Sequence, residues 1–273
     1  MKLFTFGDSW TEGVGGNLKE EYTTDIPEER TKIRYKYAWP TLLSKHLNIP
    51  FDNFGIGGCS NKSIFDAVCN SIDTDLIKKD DLVVIMWSSS LRDSVSFFPD
   101  NNSWHYWGER YKRKEYLYKK VFKNTNITTK YDRIKKKDQE YFLANLFTDE
   151  YYQIVNQNYI LYLQWMFKKI GIRYIFCDAF DLMIKDGISK NIDKTNLIDK
   201  NHYWGISNKT LKDFLINTNR KDVWSDFEYW KDSTEGKHPS KNGYKLIANE
   251  LYDFILNKNI LTYKTNSIEN III

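Results

Sequence analysis

Cysteine, proline and long apolar runs are scarce in this chain of 273 residues, and each scarcity excludes a class of protein. The three cysteines, Cys59, Cys69 and Cys177, have neither metal-ligand spacing nor an even count, so a disulfide framework is not expected. The five prolines form no proline-rich linker between domains. No segment approaches the roughly 20 apolar residues of a membrane-spanning helix, so no membrane partner is expected.

The charge is nearly balanced, which argues against a protein whose main partner is nucleic acid. Lysine and arginine total 40 against 36 acidic residues, a net charge of +4. The first strand is predicted to start at residue 2, which leaves no room for a charged region and apolar stretch of a secretory signal. Together with the few cysteines, this predicts a reduced, cytoplasmic protein.

Strand-like and helix-like segments alternate along the chain. Apolar segments predict strands at 2–6, about 51–54, 82–87 and 173–177. Helical spacing of apolar residues predicts helices at 39–47, after an N-cap at Asn61, at about 150–170 and at about 241–256. This alternation favours a three-layer α/β/α sandwich with a central parallel sheet.

Two polar, aromatic-rich stretches, at about 99–149 and 181–230, do not fit this minimal frame. Neither is bounded by a repeat or linker, so residues 1–273 are interpreted as one domain with two insertions. Such insertions could be surface helices and loops with solvated charges. Alternatively, they could form a lid over the carboxyl edge of the sheet and so determine substrate choice.

The residues that predict chemistry lie near the two ends of the chain. Gly7-Asp8-Ser9 follows the first predicted strand, which places Ser9 at the carboxyl edge where open α/β sheets build their sites. Far along the chain, Glu235 precedes His238 by three residues. A hydroxyl, an imidazole and a carboxylate are the nucleophile, base and orienting acid of a catalytic triad. Asp8 is expected to organise the turn by accepting backbone hydrogen bonds.

In these blocks the chain resembles the SGNH/GDSL hydrolases, whose nucleophile lies in Gly-Asp-Ser and whose base lies in Asp-x-x-His. The resemblance implies a flavodoxin-like fold with Ser9 as nucleophile and His238 as base. The family's aspartate is replaced by Glu235, and Asp232 is a reserve candidate for the orienting acid.

The resemblance also implies an oxyanion hole. Its second block is matched by the run Asn53-Phe54-Gly55-Ile56-Gly57-Gly58-Cys59-Ser60, so the expected donors are the N–H groups of Ser9 and Gly58. The third block, usually Gly-x-Asn-Asp, is a weak match, because Ser88-Ser89-Ser90 stands there without an asparagine. The third donor therefore falls on Ser90 or Ser89, and two other side chains could substitute, Asn61 and Arg92.

The resemblance implies a serine esterase that hydrolyses small acyl esters, above all O-acetyl esters, of a carbohydrate or another polar small molecule. No metal or organic cofactor is implied, and the oligomeric state is left open. An acyltransferase, or a binding protein on a silenced or redirected SGNH scaffold, are alternatives. A nucleic-acid-associated protein is a further one, through the basic region 110–137 with its interleaved tyrosines. Salt-dependent retention on DNA would favour it.

Overall fold

The computed structural model describes eight stretches of the chain. The described residues are 1–21, 23–89, 94–96, 103–105, 149–184, 194–206, 208–225 and 238–262. Four residues singled out from the sequence lie outside them: Ser90, Arg92, Asp232 and Glu235. The basic region 110–137 and nearly all of the insertion at 99–149 also lie outside the described residues.

A parallel sheet of five strands forms the middle layer. Its strands are β1 (Leu3–Gly7), β2 (Phe51–Gly55), β3 (Leu82–Trp87), β6 (Arg173–Asp178) and β7 (Tyr203–Trp204). They lie side by side in the order β2-β1-β3-β6-β7. A separate antiparallel pair consists of β4 (Ser94–Ser96) and β5 (Ser103–His105). The order doubles back between β1 and β3, and this reversal is the point in a doubly wound sheet where ligands bind.

Helices cover both faces of the sheet. The α-helices of the described residues are α1 (Ser9–Glu12), α2 (Leu18–Glu21), α3 (Pro27–Tyr37), α4 (Trp39–Leu47), α5 (Asn61–Asp73), α6 (Asp149–Ile170), α7 (Leu211–Asn217) and α8 (Lys241–Asn257). Short 3₁₀ turns occur at Thr195–Leu197, Lys200–His202 and Lys221–Val223.

Strand β3 explains the layering, because alternate side chains of a strand point to opposite faces. Leu82, Val84 and Met86 pack in the apolar cluster that contains buried residues of α4, α7 and α8. The intervening side chains of β3 pack in the other cluster, with buried residues of α5 and α6. The expected three-layer α/β/α sandwich with a central parallel sheet is therefore confirmed.

The structure differs from the sequence prediction at the start of α5 and in the second insertion. Ser60, not Asn61, caps α5, since the Ser60 side chain accepts a hydrogen bond from the N–H of Ser63. The described part of 181–230 supplies the edge strand β7 and the helix α7, whose Leu211 and Leu215 are buried against the sheet. Among the residues that the structure describes, no helix is both long and apolar enough to cross a bilayer.

Candidate active site

The nucleophile candidate stands at the sharp turn between β1 and α1. Asp8 caps α1 by accepting a hydrogen bond from the N–H of Trp10 at 3.0 Å, as expected from the sequence. Ser9 is then the first residue of the helix and only 5% exposed. The turn thus holds Ser9 at the carboxyl end of a central strand.

The base candidate meets Ser9 from the opposite end of the chain. The Ser9 Oγ lies 3.0 Å from His238 Nε2, although 229 residues separate them in sequence. The backbone of His238 is fixed from behind, because its carbonyl oxygen accepts from the N–H and the Oγ of Ser225 at 3.0 and 2.9 Å. The adjacent residues Trp224 and Pro239 form an antiparallel β-bridge next to this contact. The structure therefore brings together two of the three predicted triad residues, and the third, Glu235, lies outside the described residues.

The predicted oxyanion loop approaches Ser9 from β2. Cys59 N–H donates to the Ile56 carbonyl at 3.1 Å, and Gly58 has a φ of +79° at the third position of this turn. A type II turn needs such a residue there, which accounts for glycine at Gly58. Neighbouring Gly57 lies against the nucleophile, since a Cβ built on it would be 3.9 Å from Ser9 Cβ. Among the described residues, no group accepts a hydrogen bond from the N–H of Ser9 or Gly58.

The exit of β3, where the family's asparagine is expected, is held by a buried hydrogen-bond network. The Ser88 hydroxyl donates to Asp8 Oδ2 at 2.7 Å, and the Ser88 N–H donates to Asn61 Oδ1 at 2.8 Å. The Asn61 amide donates to the Ser89 carbonyl at 3.2 Å, and the Ser89 hydroxyl donates to Asp181 Oδ2 at 2.5 Å. The side chains of Asn61 and Ser89 thus stabilise the loop at the exit of β3, and their donor groups are used there rather than directed at Ser9. Ser90, the predicted third donor, lies outside the described residues.

A buried carboxylate lies at the end of the neighbouring strand, β6. Asp178 is 1% exposed and accepts from the Tyr203 hydroxyl at 2.7 Å and from the Met183 N–H at 3.1 Å. Burial raises the pKa of Asp178 to about 7, although these two hydrogen bonds oppose the shift. Because the pKa of this group is about 3.8 when unperturbed, the stabilisation it confers is full below pH 4 and is lost as the pH rises through 7.

The Tyr203→Phe substitution is therefore expected to destabilise the protein more at pH 8 than at pH 5. A hydrogen bond to a charged group contributes about 1.5–3 kcal/mol and one to a neutral group about 0.5–1.5 kcal/mol. Urea unfolding at the two pH values measures the difference. Tyr244→Phe is the matched control, because its buried hydroxyl donates at 2.7 Å to the neutral Val14 carbonyl and its loss should cost the same at both. Equal losses for Tyr203→Phe would show that Asp178 does not change charge in this interval.

Sequence reasoning missed several residues that support the site. Asn61 was expected to cap α5 or donate to the oxyanion, and Ser225 lay in a stretch without recognisable pattern. Glu12 supports the site by accepting hydrogen bonds from Gly57 and Arg34. Its position three residues after Ser9 could have indicated that it lies near the site. Its contact with Arg34 could not be predicted, because the two residues are 22 positions apart in sequence and meet only in the folded protein.

Comparisons with known proteins give fold-level similarity only. No family model matches the chain, and no curated protein matches it. Among solved structures, a member of the G-D-S-L lipolytic protein family from Veillonella parvula is 15% identical, over 94% of this chain and 97% of that one, with a TM-score of 0.40. The acetyl xylan esterase AlAXEase is 12% identical, over 93% and 98%, with a TM-score of 0.43. An acetyl xylan esterase from Butyrivibrio proteoclasticus is 14% identical, over 96% and 64%, with a TM-score of 0.42.

Proposed function

We propose that the protein is a serine ester hydrolase of the SGNH/GDSL type. The observation that carries this proposal is the 3.0 Å contact between Ser9 Oγ and His238 Nε2 at the carboxyl edge of the sheet. A serine hydroxyl is a weak nucleophile at neutral pH, and a histidine within hydrogen-bond reach is what activates it. Within the part of the chain that the structure describes, the backbone N–H groups of Ser9, at the start of α1, and of Gly58, on the turn after β2, have no acceptor.

In the acylation step, His238 Nε2 takes the Ser9 proton while Ser9 Oγ attacks the acyl carbon. The carbonyl oxygen becomes an anion and accepts hydrogen bonds from the N–H groups of Ser9 and Gly58. His238 then gives the proton to the departing alcohol, which leaves the acyl group on Ser9. A water molecule repeats the sequence and releases the acid.

For Nε2 to act as the acceptor, the neutral imidazole must carry its proton on Nδ1. Glu235 is proposed to accept a hydrogen bond from the Nδ1–H group and to stabilise the imidazolium that forms during the reaction. Glutamate replaces the family's aspartate here and reaches one methylene further. Asp232 remains the alternative orienting acid.

The proposed substrates are small acyl esters, above all O-acetyl esters, of a carbohydrate or another polar molecule. Trp10, directly after Ser9, packs edge-to-face against Phe180 at 4.9 Å and Trp224 at 6.1 Å between ring centroids. Trp10 is 1% exposed and belongs to the packed core rather than to an open channel, which supports the choice of a short acyl group. The chain's 9 tryptophans and 19 tyrosines favour a polar substrate that can stack on aromatic rings.

Covalent labelling with a fluorophosphonate tests the proposal directly. Wild type is expected to gain one adduct, which peptide mapping by mass spectrometry places on Ser9, and the Ser9→Ala variant is expected to gain none. An unlabelled wild type that binds but does not hydrolyse esters would favour the binding-protein alternative. Hydrolysis that gives way to acyl transfer when an acceptor alcohol is added would favour the acyltransferase.

Substitution of Ser90 by asparagine is expected to raise kcat on a small acetyl ester, because it installs the longer amide donor at the proposed third position of the oxyanion hole. Such a donor acts when the carbonyl oxygen becomes anionic, so kcat should change more than KM. Ser89→Asn is the comparison, and it should lower stability because the Ser89 hydroxyl is bonded to Asp181. A lower kcat for a folded Ser90→Asn variant would contradict the proposed place of Ser90 in the oxyanion hole.

A further inference from the structure

One arginine near the Ser9–His238 pair forms ion pairs with two buried carboxylates. Arg34 of α3 donates from Nη1 to Glu12 Oε1 and from Nε to Glu21 Oε2, the latter at 3.0 Å. The Glu21 side chain is 2% exposed and that of Glu12 is 11% exposed. Burial lowers the pKa of Arg34, but the two carboxylates outweigh it and leave the pKa above its ordinary value. Buried carboxylates need such pairing, because an unpaired buried charge is costly.

Glu12 connects this arginine to the oxyanion loop. Its second oxygen, Oε2, accepts a hydrogen bond from the Gly57 N–H at 2.7 Å. Gly57 lies beside Ser9 and directly precedes Gly58, the proposed oxyanion donor. The direction of the Gly58 N–H therefore depends on where the Glu12 carboxylate is held.

Glu21 connects the same arginine to the loop that supports the base. Its Oε1 accepts from the Gly15 N–H at 2.9 Å. Gly15 has a φ of +90°, and a Cβ at this position would lie 2.8 Å from His238 Cβ and 2.9 Å from Ser225 Oγ. The backbone of Gly15 therefore packs closely against His238, the base candidate.

We propose that Arg34 is a positioning residue of the active site, which sets the oxyanion loop through Glu12 and the base through Glu21 at the same time. The inference rests on the proposed esterase function. Its physical basis is the rigid fork of a guanidinium, whose separate N–H groups bind two carboxylates in fixed directions. A lysine ammonium keeps the charge but lacks this fork.

The test compares Arg34→Met and Arg34→Lys with wild type on a small acetyl ester and in the rate of fluorophosphonate labelling. Misplacement of about 1 Å costs on the order of 10²-fold in rate, so Arg34→Met is expected to lower kcat by about that factor while KM changes little. The labelling rate should fall in parallel, and Arg34→Lys should recover part of both. The control is Arg30→Met, one turn earlier on α3, where the arginine faces Thr24 and Asp25 and the site should be unaffected.

A merely structural arginine would give a different result. Arg34→Met would then lower the melting temperature, but the folded protein would keep the wild-type kcat and labelling rate, which would overturn the inference. If wild type itself is neither labelled nor active, the proposed function fails instead.

Two milder variants decide the matter if Arg34→Met does not fold. Glu12→Gln and Glu21→Gln each remove one carboxylate charge while keeping an oxygen that can accept from the glycine N–H. Each is expected to slow labelling, and combination with Arg34→Lys should cost less than the sum of the two single losses, because the pair acts through one contact. Unchanged labelling in both, or strictly additive losses, would contradict the inference.

Discussion

Replacement of Ser9 by alanine is expected to abolish ester hydrolysis while leaving the fold intact. In serine hydrolases, loss of the nucleophile lowers kcat by about 10⁶-fold. The Ser9 hydroxyl makes its hydrogen bond to His238. Removal of the hydroxyl should therefore affect this contact and leave the rest of the sheet edge unchanged. Steady-state kinetics on a small acetyl ester, with circular dichroism as a check of folding, measures the effect.

Two further variants sharpen this experiment. Ser44→Ala is the matched control, because Ser44 is about as buried as Ser9 but donates to the Thr41 carbonyl within α4, and its kcat should be that of wild type. The double variant Ser9→Ala/His238→Ala should be no slower than Ser9→Ala alone, since nucleophile and base act as a unit. A Ser9→Ala variant that keeps substantial activity would refute the proposed mechanism.

The second large effect is expected from Glu235→Gln, which should lower kcat by about 10⁴-fold. A glutamine can donate to the imidazole Nδ1 and so stabilise the wrong tautomer, and it withdraws the charge that supports the imidazolium. Neither the altered tautomer nor the lost charge removes a contact with the bound ester, so KM should change far less than kcat.

Asp232→Asn is the comparison that identifies the orienting acid. It should leave kcat close to that of wild type if Glu235 has this role. If Asp232→Asn instead produces the large loss and Glu235→Gln does little, the role belongs to Asp232. Thermal unfolding of both variants separates either result from a loss of folded protein.

Much of the fold could be predicted from the sequence because its strongest signals are local. Helix α4 (Trp39–Leu47) has the predicted bounds, since Pro40 suits a first turn and the apolar residues follow helical spacing. Strand β3 (Leu82–Trp87) also has its predicted bounds, because a strand buried on both faces is a continuous apolar run.

Two other elements gave no signal of this kind. Helix α3 (Pro27–Tyr37) has no fully buried residue, so its sequence shows no apolar stripe. Strand β7 has only two residues, Tyr203 and Trp204, too few for any periodicity. Their positions are determined by contacts with the rest of the molecule, which the local sequence does not encode.

The site divides along the same line. Ser9 and His238 could be paired from the sequence because each lies in a short block with a known counterpart. The buried ion pairs of Arg34 could not, because they join α3 to side chains 22 and 13 residues away that have no fixed spacing to it. Asn61 was predicted as a helix cap or as a substitute oxyanion donor, whereas its contacts with Ser88 and Ser89 at the exit of β3 depend on how β3 and α5 pack.

The contact between Ser9 and His238 would make the proposed activity depend on a late step of folding. Ser9 lies just after the first strand of the sheet, whereas His238 lies two residues before Ser240, the capping residue of α8, whose Tyr244, Ile247 and Leu251 are buried against the sheet. During synthesis the early strands and helices leave the ribosome before α8 exists, so a partly made chain has Ser9 without its proposed base, His238. Release of α8 alone would likewise separate the proposed base from the proposed nucleophile while most of the sheet persists. The proposed activity would therefore report whether the residues next to β1 and next to α8 have come together.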